Sequence, residues 1–157
     1  MSMDSILQWN MQSYRTKFHE LKLLLNEHTP LCMCLQETMI RTANIHSPSG
    51  YSIIHQPSDP DDGHTRGVAI LVNKNVHHEV INLNTNLQAL AVRITIHKTY
   101  TICTLYLPHQ NVRKQDIQNL INQLPQPFLL LGDMNAHSPT WGSSSENERV
   151  KFYLRSS

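Results

Sequence analysis

Residues 128–137 combine four consecutive apolar residues with an aspartate and an asparagine two positions apart. The apolar residues indicate a fully buried strand, and Gly132, Asp133 and Asn135 follow at its carboxyl end. Side chains at positions i and i+2 of an extended segment point to the same side, so Asp133 and Asn135 can converge on one ligand. The structural alternative is a plain turn, because glycine, aspartate and asparagine all favour turns.

Two strands predicted near the N-terminus also end in polar side chains. Residues 5–10 form a short apolar run that ends in Asn10, and residues 31–37 form one that ends in Glu37. Between them, apolar residues at helical spacing predict an amphipathic helix that ends before Pro30. These residues are Tyr14, Phe18, Leu21 and Leu25. A strand, a helix and a strand in this order are typical of a βαβ unit, in which parallel pairing places Asn10 and Glu37 at one edge.

Apolar runs and alternating patterns predict the remaining strands. They lie at residues 51–55, 67–73, 76–81, 90–96 and 100–107. The last two strands are expected to form an antiparallel hairpin. The first strand of this hairpin alternates apolar residues with small or polar ones, so we expect it to bury one face. That face consists of Leu90, Val92, Ile94 and Ile96.

A second helix is predicted directly before the last of the apolar strands. Its apolar residues recur at positions i, i+3, i+4 and i+7, and they are Ile117, Leu120, Ile121 and Leu124. Asn111 can cap this helix at its amino end, and Pro125 and Pro127 end it. The helix is therefore expected to cover one face of a sheet.

The composition is that of one globular domain. The chain has 157 residues, of which 39% are hydrophobic and 16% are charged, which suits a packed core and argues against disorder. No apolar run approaches the roughly 18 residues of a membrane helix, and the N-terminus lacks the pattern of a signal peptide. We therefore expect an intracellular protein with no membrane partner.

Cysteines, histidines and net charge narrow the possible classes further. Cys32, Cys34 and Cys103 all lie in strand-like apolar runs, which favours reduced, buried thiols over disulfides or a zinc site. The ten histidines are scattered, without pairs at the spacing of a helical metal site. A net charge of +1 is no strong sign of nucleic-acid binding, although acidic residues of a metal site offset basic residues around it.

The predicted strand ends together offer one set of polar side chains. These are Asn10, Glu37, Tyr106, Asp133 and Asn135. Carboxylates, amides and a phenol are hard oxygen ligands and hydrogen-bond partners, a set that suits a Mg²⁺ ion holding a phosphate. Three of them also have a structural alternative, with Asn10 and Tyr106 as strand-end and core residues and Glu37 as a solvated helix cap.

Four short motifs of this chain follow the order that they have in a known superfamily. They are Trp9-Asn10, Gln36-Glu37, Tyr106-Leu-Pro108 and Gly132-Asp-Met-Asn135. Through these motifs the chain resembles the endonuclease/exonuclease/phosphatase superfamily over nearly its whole length. Residues 137–143 and 147–149 are further similar to the endonuclease domain of non-LTR retrotransposons, the jockey-like and LINE-type elements.

The resemblance implies a role for each candidate residue. Glu37 would bind the metal, which would be Mg²⁺ or, alternatively, Mn²⁺. Asn10 would orient the metal or the phosphate. Tyr106 would stabilise charge on the phosphate oxygens, Asp133 would position or deprotonate the attacking water, and Asn135 would hold the phosphate. The implied partner is DNA, with a nuclear location if the target is chromosomal. A downstream reverse transcriptase domain in a longer polyprotein is left open.

The chain departs from the superfamily pattern at several positions. Gln12 stands where relatives often carry an acid. The later Ser-Asp-His motif is absent from these residues, since no aspartate follows Asp133 and His137 does not belong to such a motif. Residues 143–157 leave the pattern, and residues 149–157 contain no strand or helix long enough to finish a sheet.

We therefore expect an α/β fold, a two-sheet sandwich with outer helices and a truncated C-terminus. It would form a single, incomplete domain over residues 1–157, with residues 1–142 well matched. The expected function is Mg²⁺-dependent DNA nicking as the endonuclease domain of a retrotransposon polyprotein, inactive in this truncated form. Two alternatives stay open, an abasic-site repair nuclease or phosphatase of the same superfamily, and a degenerate, non-catalytic fragment. Residues 137–142 favour the retrotransposon, and the missing motif favours the fragment.

Overall fold

The strands and helices lie where the apolar patterns place them, in a computed structural model that describes residues 5–41, 44–58, 66–107, 112–133 and 153–155. In chain order the elements are β1 (Ile6–Asn10), α1 (Phe18–His28), β2 (Cys32–Gln36), β3 (Tyr51–Gln56), β4 (Val68–Asn73), β5 (His77–Ile81), β6 (Gln88–Thr95), β7 (Thr99–Tyr106), α2 (Lys114–Asn122), β8 (Phe128–Asp133) and β9 (Tyr153–Arg155). Every strand and helix expected from the sequence is present. Neither of the two described helices has the length and apolar character needed to cross a membrane.

Two sheets carry the strands. The first has the order β1-β2-β4-β3, and the second has the order β5-β6-β7-β8-β9. β1 pairs with β2 in parallel, and β7 pairs with β8 in parallel, while the other neighbours are antiparallel. The predicted parallel pair β1–β2, the β6–β7 hairpin and the two-sheet α/β sandwich are therefore confirmed.

Three apolar layers hold the sandwich together. Side chains alternate along each strand, so β2 directs Cys32 and Cys34 into the layer between the sheets. The intervening Met33 and Leu35 pack with α1 on the outer face of the first sheet. On the outer face of the second sheet, Leu120 of α2 is fully buried. Both helices thus lie outside the sheets, as predicted.

The hairpin strand β6 differs from its predicted pattern. Val92 and Ile94 face the layer between the sheets as expected, but Ala89 and Ala91 on the opposite face are buried with α2. Ile96 lies in the turn and is 45% exposed. The prediction of a single buried face is wrong because alanine is a weak core signal, whereas a helix resting on a sheet packs closely against small side chains.

The ends of the helices and the last strand also differ from the predictions. Tyr14, expected in α1, lies before the helix, and its hydroxyl donates to the backbone oxygen of His46 at 2.7 Å. Arg113, not Asn111, is the N-cap residue of α2, and Asn111 lies outside the described residues. Residues 149–157 were expected to hold no strand long enough to finish a sheet, yet the three-residue β9 pairs with β8. So short a strand leaves no detectable period in the sequence.

The cysteines are free and buried, as predicted. Burial raises the pKa of Cys32 to about 12 and also raises the pKa of Cys103. The pKa of Cys34 is raised by burial and, to a smaller extent, by the neighbouring Cys32 and Cys103. The thiols are therefore neutral and pack as small apolar groups between and beside the sheets.

Candidate active site

Strands from the two sheets end at a common edge of the sandwich, the site edge, which is formed by the carboxyl ends of β1, β2, β7 and β8. In the first sheet, Asn10 lies opposite Gln36 in the parallel pair β1–β2. In the second sheet, Tyr106 lies opposite Asp133 in the parallel pair β7–β8. A buried hydrogen bond aligns the sheets, because Gln36 Nε2 donates to Thr104 Oγ1 at 2.8 Å. The carboxyl ends of all these strands therefore meet.

Asn10 and Glu37 make direct contact at the site edge. Asn10 Nδ2 donates a hydrogen bond of 2.8 Å to Glu37 Oε2. The other carboxylate oxygen, Oε1, lies 3.9 Å from Arg66 Nη1. The side chain of Glu37 is 15% exposed, and that of Arg66 is 44% exposed. A partly exposed ion pair contributes only about 0–1 kcal/mol to stability. The arrangement therefore fixes the orientation of the carboxylate more than it stabilises the fold.

The backbone at Glu37 is in the left-handed region, with a φ of +54°. This conformation is uncommon for a residue with a side chain and costs on the order of 1–3 kcal/mol. Flanking hydrogen bonds hold it, since Ser13 N donates to Glu37 O at 2.9 Å and Thr38 N donates to Gly67 O at 3.1 Å. Glu37 follows a strand and adjoins no described helix, so the helix-cap alternative is wrong.

Arg66 and Gln88 also lie at the site edge, although the sequence did not point to them. Arg66 precedes β4, which runs antiparallel to β2 and therefore begins where β2 ends. Gln88 begins β6 opposite Tyr106, and its Oε1 accepts hydrogen bonds from Arg66 N at 2.9 Å and Gly67 N at 3.0 Å. A pattern based on the carboxyl ends of strands misses both residues. Antiparallel neighbours bring amino ends to the same place, and an arginine directly before an apolar strand was the available signal.

Tyr106 and Asp133 end neighbouring strands of the second sheet. Tyr106 is 5% exposed, and Asp133 is the last residue of β8. Gly132 allows the two strands to approach at this point, because a Cβ there would collide with the carbonyl oxygen of Leu105. The fifth predicted site residue, Asn135, lies outside the described residues.

The donor set at the site edge fits a hard divalent cation. Glu37 supplies a carboxylate that Asn10 orients. Mg²⁺ typically keeps several waters and takes one or two carboxylates together with phosphate oxygens, so a single oriented carboxylate is a sufficient protein contribution. In the part of the chain that the structure describes, no group of three or more His, Cys, Asp or Glu side chains is arranged to hold a metal ion. That part of the chain therefore offers no closed zinc site.

The carboxylate and the amide at the shared strand ends of this two-sheet α/β sandwich are groups that suit a hard cation bound together with a phosphate. Residues 7–152 match the Endonuclease/Exonuclease/phosphatase family. The chain belongs to this family, as its four short motifs predicted.

Several named proteins are similar to this chain. The probable RNA-directed DNA polymerase from transposon X-element of Drosophila melanogaster is 25% identical over 149 residues, which cover 92% of this chain and 16% of that protein. The endonuclease domain of TRAS1, a telomere-specific non-LTR retrotransposon, matches with a TM-score of 0.67 and 20% identity, over 92% of this chain and 66% of that domain. The AP endonuclease LMAP from Leishmania major matches with a TM-score of 0.61 and 12% identity, over 93% of this chain and 61% of that protein's chain. The predicted resemblance to retrotransposon proteins is confirmed.

Proposed function

We propose that this chain is the DNA-nicking endonuclease domain of a retrotransposon polyprotein and hydrolyses phosphodiesters with Mg²⁺, or with Mn²⁺ in its place. The observation that carries the proposal is the Glu37 carboxylate, which Asn10 orients at the edge where β7 and β8 also end. The name of the Drosophila relative, an RNA-directed DNA polymerase, supports a polyprotein with a downstream reverse transcriptase. The name of the TRAS1 domain supports an endonuclease.

Each candidate residue has one role in the proposed reaction. Glu37 holds the cation, and Asn10 keeps the carboxylate oriented through its hydrogen bond. The hydroxyl of Tyr106, at the end of β7, donates a hydrogen bond to a phosphate oxygen and stabilises the charge that develops there. Asp133 positions the attacking water and accepts its proton as the new phosphorus–oxygen bond forms, while the ester phosphorus–oxygen bond breaks and the leaving sugar oxygen takes a proton from solvent water. Asn135 holds the phosphate through its amide group.

The cation, when bound, supplies Lewis-acid polarisation of the phosphoryl oxygens. The protein supplies fixed positions for the remaining groups, because both Gln36 and the turn at Glu37 are tied into the sheets by hydrogen bonds. Fixed donors need no reorganisation when the transition state forms, and this preorganisation accounts for a large share of enzymatic rate enhancement. The reaction therefore depends on the alignment of the two sheets at the site edge.

We further propose that these 157 residues by themselves have little or no nicking activity. The resemblance implies that a Ser-Asp-His motif acts on the phosphate, and residues 134–157 contain no aspartate. Groups that act as a unit in a hydrolytic site are strongly non-additive, so the loss of one group removes most of the rate. A longer polypeptide that carries the motif should be active.

Relaxation of supercoiled plasmid in the presence of Mg²⁺ tests the proposal. The comparison uses the 157-residue polypeptide, a form extended by a C-terminal segment bearing Ser-Asp-His, and Asp133→Ala in each. We expect the extended form to nick, and Asp133→Ala to lower its rate by about 10²–10⁴-fold. Robust nicking by the short form that disappears with Asp133→Ala would contradict its inactivity, and an inert extended form would contradict the endonuclease. Preference for a plasmid with abasic sites would favour a repair nuclease.

A further inference from the structure

The backbone of Arg66 is fixed from both sheets. Its N–H donates to Gln88 Oε1 of the second sheet at 2.9 Å, and its carbonyl oxygen accepts from Met39 N, which follows the first sheet, at 2.9 Å. The next residue, Gly67, has a φ of +92°, and a Cβ there would collide with Thr38 Oγ1. These contacts fix the backbone from which the Arg66 side chain reaches Glu37 at the site edge.

The guanidinium of Arg66 and a divalent cation would share one carboxylate. Glu37 Oε2 accepts the hydrogen bond from Asn10, and Oε1 lies 3.9 Å from Arg66 Nη1. Two cations on the same carboxylate repel each other, which weakens the binding of the second even after screening by solvent. A phosphodiester brings the negative charge that relieves this repulsion. Arginine suits this role because its planar set of donors matches the oxygens of a phosphate.

We infer that Arg66 couples metal binding to phosphate binding. In the free protein its guanidinium is the counter-charge of Glu37 and weakens the binding of a divalent cation there. When a phosphodiester enters the site, Arg66 pairs with a phosphate oxygen and leaves Glu37 to the cation. Mg²⁺ and DNA therefore bind cooperatively. This inference rests on the proposed function, because it requires Glu37 to hold the cation and a phosphodiester to be the ligand.

Calorimetric titration with Mg²⁺, with and without a saturating phosphorothioate DNA duplex, tests this coupling. The proteins are the wild type, Arg66→Gln, Arg66→Lys and Glu37→Gln. Lys74→Gln is the matched control, because Lys74 is exposed at the opposite end of β4 and the change removes the same charge. Without DNA, we expect Arg66→Gln to bind Mg²⁺ roughly tenfold more tightly than the wild type. Arg66→Lys and Lys74→Gln should resemble the wild type.

With DNA present, the gain in Mg²⁺ affinity should be smaller in Arg66→Gln than in the wild type. A merely structural role for Arg66 would not tighten metal binding, so the sign of the change separates the two roles. If Arg66→Gln and Lys74→Gln bind Mg²⁺ with the same affinity while Glu37→Gln loses Mg²⁺ binding, the coupling is overturned and the proposed function is not. If Glu37→Gln binds Mg²⁺ with the same affinity as the wild type, the proposed function and the coupling are both overturned. If Arg66→Gln does not fold by circular dichroism, Arg66→Met removes the same charge, keeps the methylene stem and takes its place.

Discussion

The two edges of the sandwich use polar side chains in different ways. At the far edge, where β2 and β7 begin and β4 ends, polar side chains bind main-chain groups at turns, and the side-chain pairs Thr95–Thr99 and Tyr51–Asn73 also form there. The hydroxyl of Tyr51 donates to the carbonyl oxygen of Pro30 at 2.9 Å, and Asn73 Oδ1 accepts from Asn75 N at 2.9 Å. At the site edge, one hydrogen bond between side chains orients a carboxylate, and another joins the two sheets. The two bonds, Asn10–Glu37 and Gln36–Thr104, join residues 27 and 68 positions apart.

The difference agrees with the proposal that the site edge serves function. Bonds between two side chains are a small share of the hydrogen bonds in proteins, because each requires two side chains to be ordered. At the site edge the bond from Asn10 places a carboxylate in a fixed orientation, whereas at the far edge the hydroxyl of Tyr51 satisfies a backbone carbonyl that burial would leave unpaired. Changes at the site edge should therefore reduce activity, and changes at the far edge should reduce only stability.

Removal of the Glu37 charge should have the largest effect on activity. In the extended polypeptide, we expect Glu37→Gln to lower plasmid nicking on the order of 10³-fold, which corresponds to about 4 kcal/mol. The free energy of unfolding should change by less than about 1 kcal/mol, because the side chain keeps its shape and its ion pair is partly exposed. Nicking assays and urea denaturation measure the two effects. Equal losses of activity and stability would remove the distinction between the edges.

A methyl group at Gly132 should disturb the site edge through the backbone. Gly132→Ala would press a Cβ against the carbonyl oxygen of Leu105, so β7 and β8 must separate next to Tyr106 and Asp133. We expect a loss of about 3 kcal/mol in the free energy of unfolding, together with a loss of nicking.

Gly50→Ala provides the matched control for this change. Gly50 lies in the turn before β3 at the far edge, with a φ of +86° and no atom within 4 Å of a built Cβ. Its substitution should cost only the left-handed conformation, about 1 kcal/mol, and leave nicking unchanged. If both variants unfold to the same extent, steric contact with Leu105 is not the cause.

The hydrogen bond between Gln36 and Thr104 offers a test of the alignment of the two sheets. Thr104→Val removes the acceptor of the hydrogen bond from the fully buried Gln36 amide. The Oε1 of Gln36 already lacks a hydrogen-bond partner among the described residues. We expect a loss of about 2 kcal/mol in the free energy of unfolding, since a buried polar group is left unsatisfied. The double variant Gln36→Leu with Thr104→Val should recover most of it. Urea denaturation of four proteins, the wild type, Thr104→Val, Gln36→Leu and the double variant, forms a double-mutant cycle, and additive losses would exclude this explanation.

The part of the site that local patterns encode could be predicted from the sequence. The apolar runs before Asn10 and Glu37 and the helix between them imply two parallel strands with adjacent carboxyl ends. This local βαβ argument needs no knowledge of distant partners, and the hydrogen bond between the two side chains agrees with it. The roles of Tyr106 and Asp133 remain predictions, although both residues lie at the ends of neighbouring strands.

The contacts that depend on distant pairing could not be predicted. Arg66 reaches Glu37 because β4 inserts between β2 and β3, and no local pattern fixes that strand order. The buried face of Ala91 likewise depends on where α2 rests on the second sheet. The left-handed backbone of Glu37 follows from hydrogen bonds with residues distant in sequence, which a single-sequence pattern cannot show.

The smallest effect is expected at the far edge, from removal of the Tyr51 hydroxyl. Tyr51→Phe deletes the hydrogen bond to the buried Pro30 carbonyl oxygen and should lower the free energy of unfolding by about 1 kcal/mol at neutral pH. Nicking by the extended polypeptide should not change. A clear loss of nicking in a stably folded variant would show that the far edge takes part in function.

The pH dependence of this variant identifies the group responsible. Burial raises the pKa of Tyr51 and is the largest cause of its shift. A hydrogen bond with Asn73 lowers this pKa in part, and Cys32 raises it slightly. Because the folded pKa lies above the unfolded value of about 10, the hydroxyl contributes its full stability below about pH 10 and loses it as the pH rises further. The difference in unfolding free energy between wild type and Tyr51→Phe should therefore be largest at about pH 7.5 and shrink by about pH 10.5. Urea denaturation at both values measures it, and a difference that grows with pH would mean that the ionised phenol is stabilised in the folded protein.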